Sequence, residues 1–150
     1  MNVAFATPPV GHVGDHYRGV GALFPAGMTV YYGGVPDKPT YPYVVLWGDL
    51  GNEVSGDLAG DSLGDVVKGL SLRIRATYVA ANWDSLAITA TRVRGALNRS
   101  VPYVPSWSTS KLKQSVLMDA QADNDVTVPG TKNHPYYAVD EFALVSEKIT

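Results

Sequence analysis

Leu70, Leu72, Ile74, Ala76 and Tyr78 alternate with Ser71, Arg73, Arg75 and Thr77. Successive side chains of an extended chain point to opposite faces, so this segment predicts a strand with one buried and one polar face. A helix cannot use the pattern, because a period of two scatters apolar groups around a 3.6-residue turn. The chain must therefore build a sheet with a core on one side.

Residues 28–33 and 43–48 are short, β-branched and aromatic, and predict two further strands. Residues 34–42 join them through prolines and turn formers. Asn82 or Asp84 can cap a helix running to about Asn98, with Leu86, Ala90, Val93 and Leu97 as its apolar stripe. Arg92, Arg94 and Arg99 cluster near its electronegative end. Val13, Tyr17, Val20 and Phe24 share a face of an earlier helix that Pro25 ends. Gly14, Gly19 and Gly21 each weaken that helix by about 1 kcal/mol, so packing must hold it.

A proline-bounded loop over 101–106 precedes a second alternating run, 111–119, through Leu112, Val116 and Met118. Residues 119–135 read as a polar loop. Residues 136–145 are apolar on both faces apart from Asp140 and Glu141, which predicts a central or doubly covered strand. The first ten residues read as an irregular arm. The sum is one α+β domain over 1–150, a mainly antiparallel sheet of four to five strands with two helices packed on one face, and long loops. Leu72, Ile74, Tyr78, Leu86, Ala90, Val93, Leu97, Phe142 and Leu144 are its expected core.

Composition narrows function by exclusion. The 150 residues carry no cysteine, which removes disulfides, thiolate metal sites and cysteine nucleophiles. A formal charge of −2 argues against a broad DNA-binding face. No apolar run approaches the eighteen or so residues that cross a bilayer, and the first ten residues lack the pattern of a secretory signal. Neither a membrane partner nor a cofactor is expected, and Asn98-Arg99-Ser100 reads as an incidental glycosylation match.

His12 and His16, with Asp15 between them, are the nearest approach to a catalytic motif. Two histidines four apart on a helix could share one zinc, with Glu53 or His134 as a further ligand, giving a small metallohydrolase. A solvated pair on a helix rim is the competing reading. No nucleophile elbow, dinucleotide fingerprint or phosphate-binding loop is present. Asp140 and Glu141 are adjacent, point to opposite faces of a strand, and are expected to pair with Arg73 or Arg75. Lys111 and Lys113 read as a solvated face.

Residues 49–69 differ in kind. Asp49, Glu53, Asp57, Asp61 and Asp65 recur every fourth residue, and Gly56, Gly60 and Gly64 each precede an acid. A helix would stack those charges and carry three glycines, so an acidic loop is expected. Its spacing matches no calcium-loop motif.

From Tyr41-Pro-Tyr-Val-Val-Leu-Trp-Gly-Asp49 onward the chain resembles the tail terminator (minor tail or tail-completion) proteins of long-tailed phages of actinobacteria. Val35-Pro-Asp37, Leu72-Arg-Ile-Arg-Ala-Thr-Tyr-Val79, Thr91-Arg-Val-Arg-Gly-Ala-Leu97 and Tyr137-Ala-Val-Asp-Glu-Phe-Ala-Leu144 carry the likeness in order. The glycine-rich first helix and the acidic loop depart from it. The resemblance implies a structural virion protein, not an enzyme, assembled in the host cytoplasm. It implies a hexameric ring on the head-proximal end of the tail, with the tail tube protein and the head-neck connector or stopper as partners, and DNA passing without specific binding. In such a ring Asp49, Glu53, Asp57, Asp61 and Asp65 would line the lumen or meet Arg73, Arg75, Arg92 or Arg94 of a neighbouring subunit. The alternatives are another neck adaptor, a tube subunit or the metallohydrolase.

Overall fold

The computed structural model describes residues 7, 8, 10–55 and 67–149, so most of the expected N-terminal arm, Asp57, Asp61 and Asp65 lie outside the described residues. In chain order the elements are α1 (His12–Gly21), β1 (Thr29–Tyr32), β2 (Tyr43–Gly48), β3 (Asn52–Ser55), β4 (Val67–Ala80), α2 (Trp83–Leu97), β5 (Trp107–Thr109), β6 (Lys113–Ala122) and β7 (Tyr136–Lys148). One sheet holds seven strands, in the order β1-β2-β4-β7-β5, with β3 also on β4 and β6 also on β7. Only the short β1–β2 pair is parallel; the other ladders are antiparallel.

The alternation in β4 sets the layers. Leu70, Leu72, Ile74, Ala76 and Tyr78 are each at most 2% exposed. Directly opposite residues share a face, so Leu144, Phe142 and Ala138 of β7 and Leu46 and Val44 of β2 join that apolar layer. Both helices cover it. Tyr17 and Val20 of α1 and Leu86, Ala90, Val93 and Leu97 of α2 complete the core. The α+β class, the single covered face, the core residues and the central position of β7 are as the pattern predicts.

α2 begins where the sequence offers a cap: the Asn82 side chain accepts from the Ser85 N–H at 2.8 Å. The glycines of α1 serve packing. A Cβ on Gly19 would sit 2.7 Å from the Tyr103 carbonyl oxygen, so only glycine lets the helix lie this close to the 98–106 connection.

Several expectations need correction. Among the described residues the sheet has seven strands rather than four or five, because β3 and the first residues of β4 occupy part of the expected 49–69 loop and β5 follows the proline-bounded loop. β3 is four residues and β5 three, too short for periodicity to register. The first helix stops at Gly21, and Phe24 packs from the following turn. The alternation in 111–119 does mark a strand, and Leu112 just before it is buried, but Val116 and Met118 within it are 52% and 41% exposed, and Leu117 between them is 50% exposed. β6 is an outer strand with register shifts after Val116 and Met118 that break its two-residue period.

Leu72 and Leu97 are both fully buried where α2 meets the sheet. Replacing either with alanine is expected to cost about 2–5 kcal/mol in urea unfolding, because the surrounding strands can collapse only partly into the void. Wild-type midpoints in both variants would contradict this packing.

Candidate functional site

Two polar clusters tie the helices to the sheet, one per helix. The first belongs to α1. His12 and His16 lie four apart and flank Trp107 of β5, His12 stacked at 6.0 Å between ring centroids and His16 edge-on at 4.9 Å. The Nδ1–H of His16 donates to the His12 carbonyl at 2.6 Å, which leaves Nε2 of the neutral ring to accept from the Ser146 hydroxyl at 2.8 Å. Burial drives the His16 pKa below its ordinary value, opposed by the bond to the His12 carbonyl; the charge of His12 lowers it further. His12 Nε2 contacts Glu53 of β3 at 2.6 Å.

These histidines do not form a zinc pair. Both ring nitrogens of His16 are engaged inside the core, and Nε2 of His12 is bonded to Glu53. No group of three or more His, Cys, Asp or Glu among the described residues could hold a metal, and His134 bonds the Val126 carbonyl elsewhere. The reading as a solvated rim pair fails as well, because His16 is fully buried.

The second cluster belongs to α2. Asp140 of β7 has no solvent exposure, and Arg94 grips it through Nε at 2.6 Å and through a terminal nitrogen at 2.8 Å. The Tyr78 hydroxyl of β4 donates to the same carboxylate at 2.7 Å. Burial beside that carboxylate pushes the Tyr78 pKa up, and the hydrogen bond to Asp140 raises that of Arg94. The cluster has no free nucleophile or base. Asp140 thus pairs with Arg94 rather than Arg73 or Arg75, because it lies on the helix-covered face.

Glu141, on the opposite face, does meet Arg75, at 3.3 Å. Arg75 also lies over the Trp47 ring at 5.1 Å. Asp49 closes the turn after β2, accepting from the N–H groups of Gly51 and Arg73 at 3.1 Å each, while its carbonyl accepts from Tyr17. Gly48 starts that turn at φ 150, where a Cβ would run into the Arg73 carbonyl and the Tyr17 hydroxyl. Asp49, Glu53, Arg75 and Arg94 therefore each have a partner within the chain, whereas the side chains of Arg73 and Arg92 are exposed and in no ion pair among the described residues.

A concavity of about 680 Å³ opens between α1 and the ends of β1 and β2, with Val13, Tyr17, Tyr32, Leu46, Trp47 and Leu50 on its walls. It is apolar and holds no convergent acid-base pair. Sequence reasoning missed Ser146 and Trp107. A signal existed for Ser146, a polar residue on the apolar parity of Phe142 and Leu144. The partnership of Trp107 with α1 is set by β5, which has no periodicity to read.

No protein-family model matches the sequence, and no curated protein sequence matches it significantly. Among solved structures, a chain from the virion of a native gene transfer agent particle is similar, with a TM-score of 0.49, 17% identity, and coverage of 86% of this chain and 90% of that one.

Three outcomes follow for stability. A histidine with a lowered folded pKa leaves the unfolded state binding more protons below pH 6.5, so its contribution is present above that pH and lost as pH falls. Urea midpoints should fall between pH 7 and pH 5, with a shallower dependence in His16→Gln. Replacing Arg94 with alanine strands a buried carboxylate; because Arg94 itself is 40% exposed, the loss should be about 3 kcal/mol, the low end for a broken buried pair. Tyr78→Phe, which leaves both Arg94 bonds intact, should cost about 1 kcal/mol in the same assay.

Proposed function

We propose that this chain is a structural virion protein, a tail terminator whose copies form a hexameric ring on the head-proximal end of the tail tube. The ring stops tube growth and joins the tail to the head-neck connector, and the chain does no chemistry. The observation that carries the reading is β6. Ten residues of strand run along the outside of β7, and Val116, Leu117 and Met118 stand exposed on it. An exposed apolar edge is a hazard in a free monomer and an asset in a subunit.

The ordered resemblance from Tyr41 to Leu144 supplies the specific role, and the two polar clusters support it by being consumed in docking helices to the sheet. In the ring we place the 56–66 stretch either toward the lumen, where its acids would keep phosphate from sticking to the wall, or at a subunit boundary, where they would meet cations of a neighbour. Asp49 and Glu53 brace the foot of that stretch, so Asp57, Asp61 and Asp65 provide the charge.

Native mass spectrometry and negative-stain imaging of the pure protein test the reading. One closed ring of six is expected. Long tubes would instead identify a tube subunit, and a protein that is monomeric in solution and absent as a ring from purified particles would overturn the proposal.

A further inference from the structure

The charge of this chain is sorted along its sequence. Between Asp84 and Asp119 there is no acidic residue, and the charges are Arg92, Arg94, Arg99, Lys111 and Lys113. Residues 49–65 are the reverse, with five acids and no base. The fold then concentrates the basic set. The Arg99 N–H donates to the Leu112 carbonyl at 2.9 Å and the Leu112 N–H donates to the Ser100 carbonyl at 2.8 Å, which stitches Arg99 between Lys111 and Lys113. Arg99 is held there in a left-handed backbone conformation, φ 67, that a non-glycine residue rarely adopts.

A fourth cation joins from the sheet. Lys113 and Arg73 both lie opposite Ala143, one on each side of it, so they share the face away from the helices and stand roughly 10 Å apart across two strand spacings. Arg73, Arg99, Lys111 and Lys113 are all exposed, and none is in an ion pair among the described residues. Like charges held near one another with no ion-pair partner among the described residues repel, and an anionic partner would relieve that repulsion.

We infer that this cluster is a docking surface for a second copy of the chain, which presents its own acidic stretch at Asp57, Asp61 and Asp65. Charge complementarity selects the occupant: three carboxylates on a run without bases meet four cations that are in no ion pair among the described residues. The nearby Asp49 is held by the backbone N–H groups of Gly51 and Arg73, and Glu141 by Arg75. Nucleic acid is the poorer fit, since four cations on a chain of net charge −2 fall short of the six to ten phosphate contacts, roughly, that drive such binding. The donor stretch and the receiving cluster are different parts of the chain, so the contact is head-to-tail, the kind that propagates and closes into a ring. The inference rests on the ring reading and names its contact.

The test is a charge swap in the full-length chain, followed by sedimentation at low salt. The triple variants R99E/K111E/K113E and D57K/D61K/D65K should each associate more than about a hundredfold more weakly, since opposed like charges cost several kcal/mol. Thermal melts report whether each variant is folded. An equimolar mixture of the two should reassemble, because each then supplies the surface the other needs. If only the chain carrying all six changes assembles and the mixture does not, the acids close on their own chain and the inference is overturned. Rings of wild-type stability from both triple variants overturn it while leaving the ring reading intact. Loss of duplex DNA retention by R99E/K111E/K113E, with assembly unchanged, would assign the cluster to nucleic acid instead. A wild-type chain that stays monomeric into the millimolar range overturns the contact outright.

Discussion

A carboxylate without access to water sits at the middle of the sheet, and much of the architecture is arranged around it. Asp140 belongs to β7, its hydroxyl donor Tyr78 to β4 and its guanidinium partner Arg94 to α2. The alternating pattern of β4 and β7 forbids a slip of one residue, which would turn the apolar layer outward. A slip of two keeps every apolar residue on its face, so hydrophobicity alone does not prevent it. Such a slip would carry Asp140 away from Tyr78 or Arg94 and leave a buried charge short of partners, at a cost of several kcal/mol. The cluster thereby distinguishes the observed register from its nearest competitor and fixes where α2 lies along the sheet.

This explains which parts of the fold could be read from sequence. β4, β7 and α2 are long, periodic and packed on one another, so their local pattern and their tertiary environment agree. The stripe Leu86, Ala90, Val93, Leu97 and the layer Leu72, Ile74, Tyr78, Phe142, Leu144 follow from period alone. β3 and β5 were not legible because strands of four and three residues are stabilised by the ladder they join, not by a pattern of their own. β6 shows a different failure. Its alternation is real, but β7 is its one ladder partner among the described residues and two bulges rotate it, so parity no longer reports burial.

The polar sites were legible only in part, for a related reason. Sequence spacing assigns Asp140 and Glu141 to opposite faces, and they do lie there. It does not say which face α2 covers beside them, and that decides between Arg94 and Arg75 as the partner of each. His12 and His16 likewise share a helix face as their spacing requires. The identity of that face depends on Trp107 and Ser146, which lie about 90 and 130 residues away. Glycines that read as weaknesses in α1 become requirements once the 98–106 backbone passes against Gly19.

The same distinction separates the two kinds of charge in this molecule. Arg75, Arg94, Asp140, Glu141, Asp49 and Glu53 are each held by a partner fixed in the fold, and removing that partner would strand or loosen them. Arg73, Arg99, Lys111 and Lys113 are exposed and in no ion pair among the described residues. A chain that keeps its basic and acidic residues in separate blocks gives up local ion pairs worth a few tenths of a kcal/mol each. On the ring proposal it gains two surfaces of opposite sign, neither of which can pair with its own copy. A contact between such surfaces is heterologous by construction, whereas the bulged, apolar edge of β6 resists the flat strand pairing that leads to open aggregates. In the ring proposed above, charge would supply the direction of assembly and the edge the apolar area to hold it.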